Sequence, residues 1–208
     1  MEKKIRIGAL VSGRGTNLQA IVEACRRGFI DAEVVQAITN RAEAGAVDRC
    51  RKEGIPCLFI DHRNFPNREG FDAEAVAALR KAGTDLVVLA GFMRLLTPVL
   101  VRAFAGRIMN IHPSLLPAFP GLHPQKQALD HGVRFSGCTV HFVDEGVDSG
   151  PIILQAVVPV ADDDSVESLQ RRILEQEHII YPQAIRLFVQ ERLAIEGRRV
   201  RILPPKDS

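Results

Sequence analysis

The stretch IRIGALVSGRGTNLQAIVEACRRG, residues 5–28, decides the fold class of this chain. Ile5–Val11 is apolar and rich in β-forming residues, which predicts a buried strand. Residues 12–17 contain two glycines and predict a turn, and Leu18–Arg27 then repeats its apolar residues at helical spacing until Gly28. A strand that passes through a glycine-containing turn into a helix is the repeating unit of an α/β protein.

The same alternation of strand and helix continues along the first half of the chain. Four more apolar segments predict strands: Ala32–Thr39, Pro56–Ile60, Asp85–Ala90 and Arg107–Ile111. Three segments with helical spacing or helix-start signals lie between them: Ala44–Glu53, Arg68–Ala82 and Pro98–Phe104. This order predicts a mostly parallel, twisted sheet with helices on both faces, a Rossmann-like arrangement. Binding sites in such sheets lie beyond the carboxyl ends of the strands, here residues 12–17, 91–96 and 112–123.

The sequence changes character after His112. Prolines punctuate residues 112–124, and a loop of this length is more often functional than a plain connector. The remaining pattern predicts a helix near Gln125–His131, strands at Cys138–Phe142 and Ile152–Pro159, a helix over Ser165–Val189 and a last edge strand at Arg198–Leu203. No repeat or linker interrupts the chain, so we expect one domain over residues 1–208.

Composition narrows the classes of function. The 208 residues are 46% hydrophobic and 25% charged, typical of a soluble globular protein, and the formal net charge is only +2. This charge balance argues against an electrostatic nucleic-acid binder, and no apolar run is long enough for a membrane span. The N-terminal residues do not resemble a secretory signal, and the four cysteines lack metal-binding spacing. We therefore expect a cytoplasmic protein with reduced cysteines that binds no metal, no membrane and no nucleic acid.

The turn at residues 12–17 is the first candidate site. At the junction of a strand and a helix, backbone N–H groups and the positive end of the helix dipole converge on an anion. Leu18 stands where a dinucleotide fingerprint needs glycine, and the turn lacks the lysine of a P-loop. A phosphate monoester therefore fits better than NAD or ATP, with Gly15, Thr16 and Asn17 as candidate ligands. A plain strand-to-helix turn is the alternative.

The end of the fifth predicted strand carries the second candidate site, in Asn110-Ile111-His112. Side chains repeat every two residues along a strand, so Asn110 and His112 are predicted to lie on the same side. An amide donor beside an imidazole suits an oxygen on which negative charge develops, and the imidazole can also transfer a proton. A structural histidine at a strand end is the alternative.

The acidic loop at residues 144–150, with the sequence DEGVDSG, is the third candidate. Its spacing does not match an EF-hand, so calcium is not predicted. If the loop folds towards His112, one of its carboxylates can orient the imidazole and favour its charged form. A solvated acidic turn is the alternative.

Other features carry weaker signals. His123 in the proline-rich loop is as consistent with the surface as with a site, whereas His141 on its strand is predicted to pack or to face away. Glu177 lies on the last predicted helix, where an acid is usually solvated. The segment Gly91–Leu96 brings large apolar residues to the ligand-binding edge of the sheet, which suits either a flat apolar heterocycle or packing against the core.

Seven segments in order resemble the phosphoribosylglycinamide formyltransferases, a family of folate-dependent enzymes of purine synthesis. The resemblance runs from Ile5 to about Leu193 and rests on these segments: SG-x-GTNLQA (12–20), LAGFMR (89–94), NIHPSLLP (110–117), PGLH (120–123), VHFV (140–143), VD-x-GPI (147–152) and QEH-x-x-YP (176–182). Arg14 and the pair Pro124-Gln125 depart from the residues common in the family.

The resemblance implies the single-domain formyltransferase α/β fold. It implies a nucleotide-phosphate half over about residues 1–111 and a folate and catalytic half over about residues 112–208. It also implies a catalytic trio of Asn110, His112 and Asp148.

The resemblance further implies how two small molecules bind. For the nucleotide it implies a phosphate loop of Gly15, Thr16 and Asn17, with Glu177 as the acid that binds the ribose hydroxyls. For folate it implies a pocket of the following residues: Arg68, Met93, Arg94, Leu95, Leu96, Asn110, Val143 and Asp148.

The implied reaction moves the formyl group of the co-substrate 10-formyltetrahydrofolate to the amine of glycinamide ribonucleotide in de novo purine biosynthesis. The amine attacks the formyl carbon directly and forms a tetrahedral intermediate. Asn110 and His112, charged with help from Asp148, stabilise its oxygen, and the leaving nitrogen receives a proton through water. Neither a metal nor a covalent enzyme intermediate is required, and the protein is expected to be a monomer or a homodimer.

Two alternatives remain at this point. One is another formyltransferase or hydrolase that uses 10-formyltetrahydrofolate; the transfer-RNA enzyme and the hydrolase are expected to carry an extra domain for which 208 residues leave no room. The other is a non-catalytic nucleotide-binding module, which has no use for Asn110, His112 and Asp148 together.

Overall fold

Five parallel strands form the sheet of the first part of the chain. The computed structural model describes residues 4–205, which divide into two compact units, one ending at Asn110 and the other beginning at Ile111. The spatial order of the first five strands is β3-β2-β1-β4-β5. Their bounds are β1 Ile5–Val11, β2 Ala32–Thr39, β3 Cys57–Phe59, β4 Leu86–Leu89 and β5 Ile108–His112.

Helices connect these strands and cover the sheet. They are α1 Thr16–Arg26, α2 Gly45–Glu53, α3 Arg68–Lys81 and α4 Pro98–Ala103, with a short 3-10 helix at His62–Asn64. The Asn67 side chain caps α3 by accepting a hydrogen bond of 2.9 Å from the Gly70 N–H. Phe71 and Leu79 of α3 are fully buried. Every residue of β4 is also buried, because a central parallel strand is covered on both faces.

The second unit contains four strands and two helices. Its elements are α5 Pro124–Asp130, β6 Phe135–Phe142, β7 Ile152–Pro159, α6 Val166–Val189, β8 Leu193–Glu196 and β9 Arg199–Ile202. The strand order within this unit is β6-β7-β9-β8, with β6 antiparallel to β7, β9 parallel to β7 and β8 antiparallel to β9. A hydrogen-bonded pair of serines, Ser165 and Ser168, caps α6, which contacts β6 and β7.

The predicted α/β class with a mostly parallel sheet is confirmed, and most predicted bounds differ by one or two residues. Two local predictions were wrong. The strand predicted to begin at Cys138 begins at Phe135 and includes Gly137. A glycine weakens the strand pattern of a sequence, but here it fits the strand because a Cβ atom would collide with the Ala156 carbonyl of β7. The predicted edge strand near the C-terminus is the second strand of a hairpin, so that β8 and not β9 lies at the edge.

The ends of the predicted domain, residues 1–3 and 206–208, lie outside the described residues. Within residues 4–205, no helix is long and apolar enough to cross a membrane.

Candidate active site

The glycine-containing turn between β1 and α1 is built by close packing of backbone. Gly15 precedes α1 in the left-handed region, with φ +73°, and a Cβ atom there would lie 2.8 Å from the Cβ of Ala46. Only glycine suits both the dihedral and the contact. The N-cap residue Gly15 has no side chain to bond the first N–H groups of α1, and the first turn of the helix holds no acidic residue, so its amino end suits an anion.

Helix α2 fixes the position of this turn. The Ala46 N–H donates a hydrogen bond of 3.2 Å to the Gly13 carbonyl, and Arg49 Nε donates one of 2.8 Å to the carbonyl of Arg14. Thr16 is half-buried and Asn17 is buried at the start of α1. The three residues predicted to hold a phosphate therefore come directly after two carbonyl groups that hydrogen bonds from α2 hold in place.

The segment after β4 alternates between inward and outward side chains. Phe92 stacks on Phe71 with ring centroids 6.2 Å apart, and the Arg94 guanidinium lies 5.0 Å from the centre of the same ring. Met93 and Leu95 point the other way and are 64% and 54% exposed. Large apolar side chains left open to solvent beyond a parallel strand indicate a binding surface for an apolar group.

A buried carboxylate anchors the far end of this segment. Asp72 on α3 accepts hydrogen bonds from the Thr97 N–H at 2.6 Å and from the Thr97 hydroxyl at 2.8 Å. Burial raises the pKa of the Asp72 carboxyl above its ordinary value. Arg68, predicted to meet folate carboxylates, begins the same helix and is exposed, and Leu96 beside Thr97 is half-buried.

Asn110 and His112 occupy the end of β5, as predicted. Asn110 pairs with Leu89 of β4 in the strand register and is half-buried. His112, two residues further on the same strand, is only 5% exposed. Both side chains therefore stand at the carboxyl end of a parallel strand, where ligands bind in sheets of this kind.

In the second unit His112 is held by both of its ring nitrogens. Nδ1 lies 3.3 Å from Oδ2 of Asp148, and Nε2 lies 2.9 Å from the carbonyl oxygen of Phe119. The same Asp148 oxygen accepts a hydrogen bond of 2.8 Å from the Gly121 N–H. The proline-rich loop and the acidic loop thus meet at this histidine.

The aspartates of the acidic loop are half-buried, whereas residues 145–147 at its tip are exposed. The Asp144 side chain accepts hydrogen bonds from the Gly146 N–H at 3.0 Å and from the Ser149 hydroxyl at 2.7 Å. Asp148 adopts φ +49°, uncommon for a residue other than glycine, and its side chain is only 14% exposed. Such a conformation persists only where the surrounding contacts hold it, and here those contacts aim the carboxylate at His112.

His141, predicted to pack or to face away, is packed in the interior, and its contact with Asp148 was not predicted. It is 2% exposed near the end of β6, with Nε2 3.7 Å from Oδ1 of Asp148 and Nδ1 2.7 Å from the Phe142 carbonyl. Burial lowers its pKa, so the ring is neutral at neutral pH. The sequence signal that could have indicated this contact is the position of His141 shortly before the acidic loop at residues 144–150.

A buried hydroxyl fixes the proline-rich loop beyond His112. Thr139 on β6 donates to the Ser114 carbonyl at 2.7 Å and accepts from the Leu116 N–H at 3.0 Å and from Gln155 Nε2 at 2.9 Å. The loop then leads to Phe119, whose carbonyl contacts the histidine ring. Sequence patterns do not reveal this support, because its partners lie in the loop after β5 and on β7, far from Thr139 in the chain.

Three further candidate residues of the second unit lie on α6, directly after β6 and directly before α5. Glu177 on α6 is only 6% exposed. Burial of the Cys138 thiol is the main cause that raises its pKa to about 12, and the negative charge of Glu177 adds to this rise. Val143 directly follows β6 and is half-buried, whereas His123 is exposed. Glu177 is therefore not the solvated acid that its helical position suggested.

No group of three or more histidine, cysteine, aspartate or glutamate side chains within the described residues is arranged to hold a metal ion. The arrangement can bind an anion on backbone N–H groups, present apolar surface, and place an amide and a carboxylate-paired imidazole at one strand end.

Comparisons with known proteins show which family this chain and its fold resemble. Residues 5–185 match the formyl transferase family model. The chain is 43% identical over 209 residues to the phosphoribosylglycinamide formyltransferase of Escherichia coli, covering 97% of each protein. It is 57% identical to glycinamide ribonucleotide transformylase 1 from Symbiobacterium toebii, with a TM-score of 0.96 over 98% of this chain and 96% of that structure.

Some relatives are much longer. The chain is 50% identical over 190 residues to the trifunctional purine biosynthetic protein adenosine-3 of Drosophila melanogaster. That match covers 90% of this chain but spans only 14% of the relative.

Proposed function

This chain belongs to the formyl transferase family, and we propose that it transfers the formyl group of 10-formyltetrahydrofolate to the amine of glycinamide ribonucleotide. The observation that carries the proposal is the His112 imidazole, paired with Asp148 at 3.3 Å at the end of the strand that also bears Asn110. A module that only binds a nucleotide has no need of this arrangement.

The phosphate of the ribonucleotide binds the amino end of α1. Gly15 admits close approach of a ligand, and Thr16 and Asn17 supply N–H groups in the first turn of the helix. The buried Glu177 carboxylate accepts hydrogen bonds from the ribose hydroxyls, because an ionised carboxylate is an acceptor of two or more donors.

The folate ring fits the segment after β4. Met93 and Leu95 offer exposed apolar surface, and Leu96 beside them is half-buried. Arg94, Asn110, Val143 and Asp148 complete the proposed contacts with the ring, and the exposed Arg68 is the cation proposed to meet the carboxylates of the folate tail. 10-Formyltetrahydrofolate supplies the formyl group, and everything else in the reaction is positioning and proton transfer.

Asn110 and His112 stabilise the oxygen of the formyl group as the attacked carbon becomes tetrahedral. Donors aimed at a developing negative charge are often the largest single contribution to catalysis. The ring of His112 already faces two acceptors, and a neutral carbonyl is a weaker acceptor than a carboxylate. We therefore assign the oxyanion to Nε2, which leaves the Phe119 carbonyl, while Asp148 retains Nδ1 and balances the charge of the ring.

This proposal extends to the setting of the enzyme. The chain acts as one formyltransferase domain, with nucleotide-phosphate residues up to about residue 111 and folate and catalytic residues beyond it. It works in the cytoplasm as a monomer or homodimer on two small molecules.

The test is an assay of tetrahydrofolate release by the purified protein, with and without glycinamide ribonucleotide. Release that depends on the ribonucleotide supports the proposal, and His112→Ala serves as the inactive control. Release without the ribonucleotide would identify a hydrolase instead. Absence of release under both conditions would contradict formyl transfer and favour a nucleotide-binding module.

A further inference from the structure

Ser12 lies where the ends of three parallel strands meet. The register pairs Val11 of β1 with Thr39 of β2 and Leu10 with Leu89 of β4. Ser12 is the first residue after β1, so it lies beside Asn40 on one flank and beside the segment after β4 on the other. It is 2% exposed and none of the proposed ligand contacts includes it.

Ser12 binds the residue after β2 and the segment after β4 at the same time, through its side chain and its backbone. Its hydroxyl donates a hydrogen bond of 2.6 Å to Oδ1 of Asn40 and accepts one of 2.9 Å from the Met93 N–H. Its own N–H donates to the Gly91 carbonyl at 3.1 Å. Asn40 is 6% exposed, so the hydroxyl works as donor and acceptor in an environment with little water.

These bonds join two segments to which the proposed function gives different ligands. Ser12 opens the turn that leads to the phosphate residues at 15–17, and Met93 is the centre of the segment proposed to contact folate. The Met93 side chain is 64% exposed, whereas its backbone N–H is bound by the buried Ser12 hydroxyl. The position of the exposed side chain therefore depends on how the backbone of the 91–96 segment is held. A residue that binds the backbone of both segments fixes the position of each segment relative to its ligand.

We propose that Ser12 is a positioning residue that holds the phosphate turn and the 91–96 segment together, so that loss of its hydroxyl weakens the binding of both ligands. This inference rests on the proposed function, since that function assigns the ligands of the two segments. It differs from a purely structural role, which would lower stability without changing substrate affinity.

The experiment compares Ser12→Ala with Ser136→Ala. Ser136 is 1% exposed on β6, and its hydroxyl has no hydrogen-bond partner among the described residues, so this control removes an equally buried hydroxyl without removing a bond. We measure the KM for glycinamide ribonucleotide, the KM for 10-formyltetrahydrofolate, and hydrogen exchange of the Met93 amide without ligand.

We expect Ser12→Ala to raise both KM values by about tenfold, as for a buried hydrogen bond left unmade, with a smaller change in kcat. The Met93 amide should exchange faster, because its acceptor is gone, and Ser136→Ala should change none of these quantities. A rise in the ribonucleotide KM alone, or unchanged KM values, would overturn the proposal. Unchanged Met93 exchange would overturn it as well.

Two further arms keep the result interpretable. If Ser12→Ala does not accumulate as folded protein, Ser12→Cys replaces it, because a thiol keeps the shape but is a weak donor and acceptor; the same rise in both KM values is then expected. If the wild-type protein shows no transfer, the proposed function fails, whereas Met93 exchange still decides whether Ser12 holds the segment.

Discussion

The turn after β1 and the His112 cluster are held in shape by different kinds of interaction. Residues 12–17 owe their shape to backbone: a left-handed glycine, carbonyls bound by α2, and a helix end without a side-chain cap. The cluster around His112 owes its shape to side chains and to loops from two parts of the sequence, with Asp148 held at a positive φ.

This difference predicts how each region responds to substitution. A site made of backbone tolerates changes of charge and is damaged by added volume, because only the path of the main chain matters. A site made of a carboxylate facing an imidazole is damaged by the loss of the carboxylate charge even when the shape is kept. The predictions below follow this contrast from the largest expected effect to the smallest.

Removing the donors at the end of β5 should have the largest effect. Asn110→Ala and His112→Ala should each lower kcat by about 10²–10³-fold, the usual result of deleting one oxyanion donor. Steady-state kinetics measures the loss, and binding of a folate analogue should be nearly unchanged. Because both residues act on one transition state, the double variant should lose less than the product of the two single losses. Wild-type turnover in either single variant would remove that residue from the mechanism.

Removing the charge of Asp148 should have the next largest effect. Asp148→Asn keeps the size of the side chain and an acceptor for the Gly121 N–H, but the carboxylate facing His112 is lost. Hydrogen bonds to charged groups are worth about 1.5–3 kcal/mol, so kcat should fall roughly 10- to 100-fold while the ribonucleotide KM changes little.

The matched control is Asp144→Asn, which removes a charge from the same loop but keeps an oxygen for the Gly146 N–H and the Ser149 hydroxyl. Steady-state kinetics of both variants makes the comparison. Equal losses in the two variants would mean that the general charge of the loop matters, and the pairing with His112 would lose its support.

The turn after β1 and the His112 cluster also differ in how far the sequence alone predicts them. The turn after β1 follows from local rules, since an apolar strand, glycines and a helix start are neighbours in the chain. Even Asn110 and His112 follow from the period of a strand. Their positions could therefore be predicted from a few consecutive residues.

The His112 cluster could not be predicted in the same way. Nothing local brings Asp148 to His112, so sequence patterns left a solvated turn as an equal reading, and only the family resemblance favoured a partner. The contact of His141 with Asp148 could not be predicted, because a single histidine on an apolar strand has no local signature. The burial of Glu177 could not be predicted from its place on a helix either, since burial of an acid depends on what packs against that helix.

Adding a side chain at Gly15 tests whether the turn after β1 depends on the path of its backbone. Gly15→Val forces a β-branched residue into a left-handed conformation and places its Cβ 2.8 Å from that of Ala46. The backbone strain alone should lower the free energy of unfolding by about 1–3 kcal/mol, and the ribonucleotide KM should rise with the folate KM unchanged. Gly13→Val is the control, because a Cβ atom there meets no atom within 4 Å. Equal loss of both ligands in folded Gly15→Val would contradict the assignment of this turn to the phosphate.

The smallest expected effect concerns the pH dependence of stability through His141. Burial lowers the pKa of His141 below the ordinary value near 6.5, so below that pH the unfolded chain binds a proton that the folded chain does not. Its contribution to stability is therefore present above about pH 6.5 and is lost as the pH falls, by at most about 1.4 kcal/mol per pH unit. His141→Asn keeps an amide nitrogen for the Phe142 carbonyl but does not titrate. Urea unfolding of both proteins at pH 7.5 and 5.5 should show a smaller loss on acidification in the variant, and equal losses would mean that His141 does not titrate differently on unfolding.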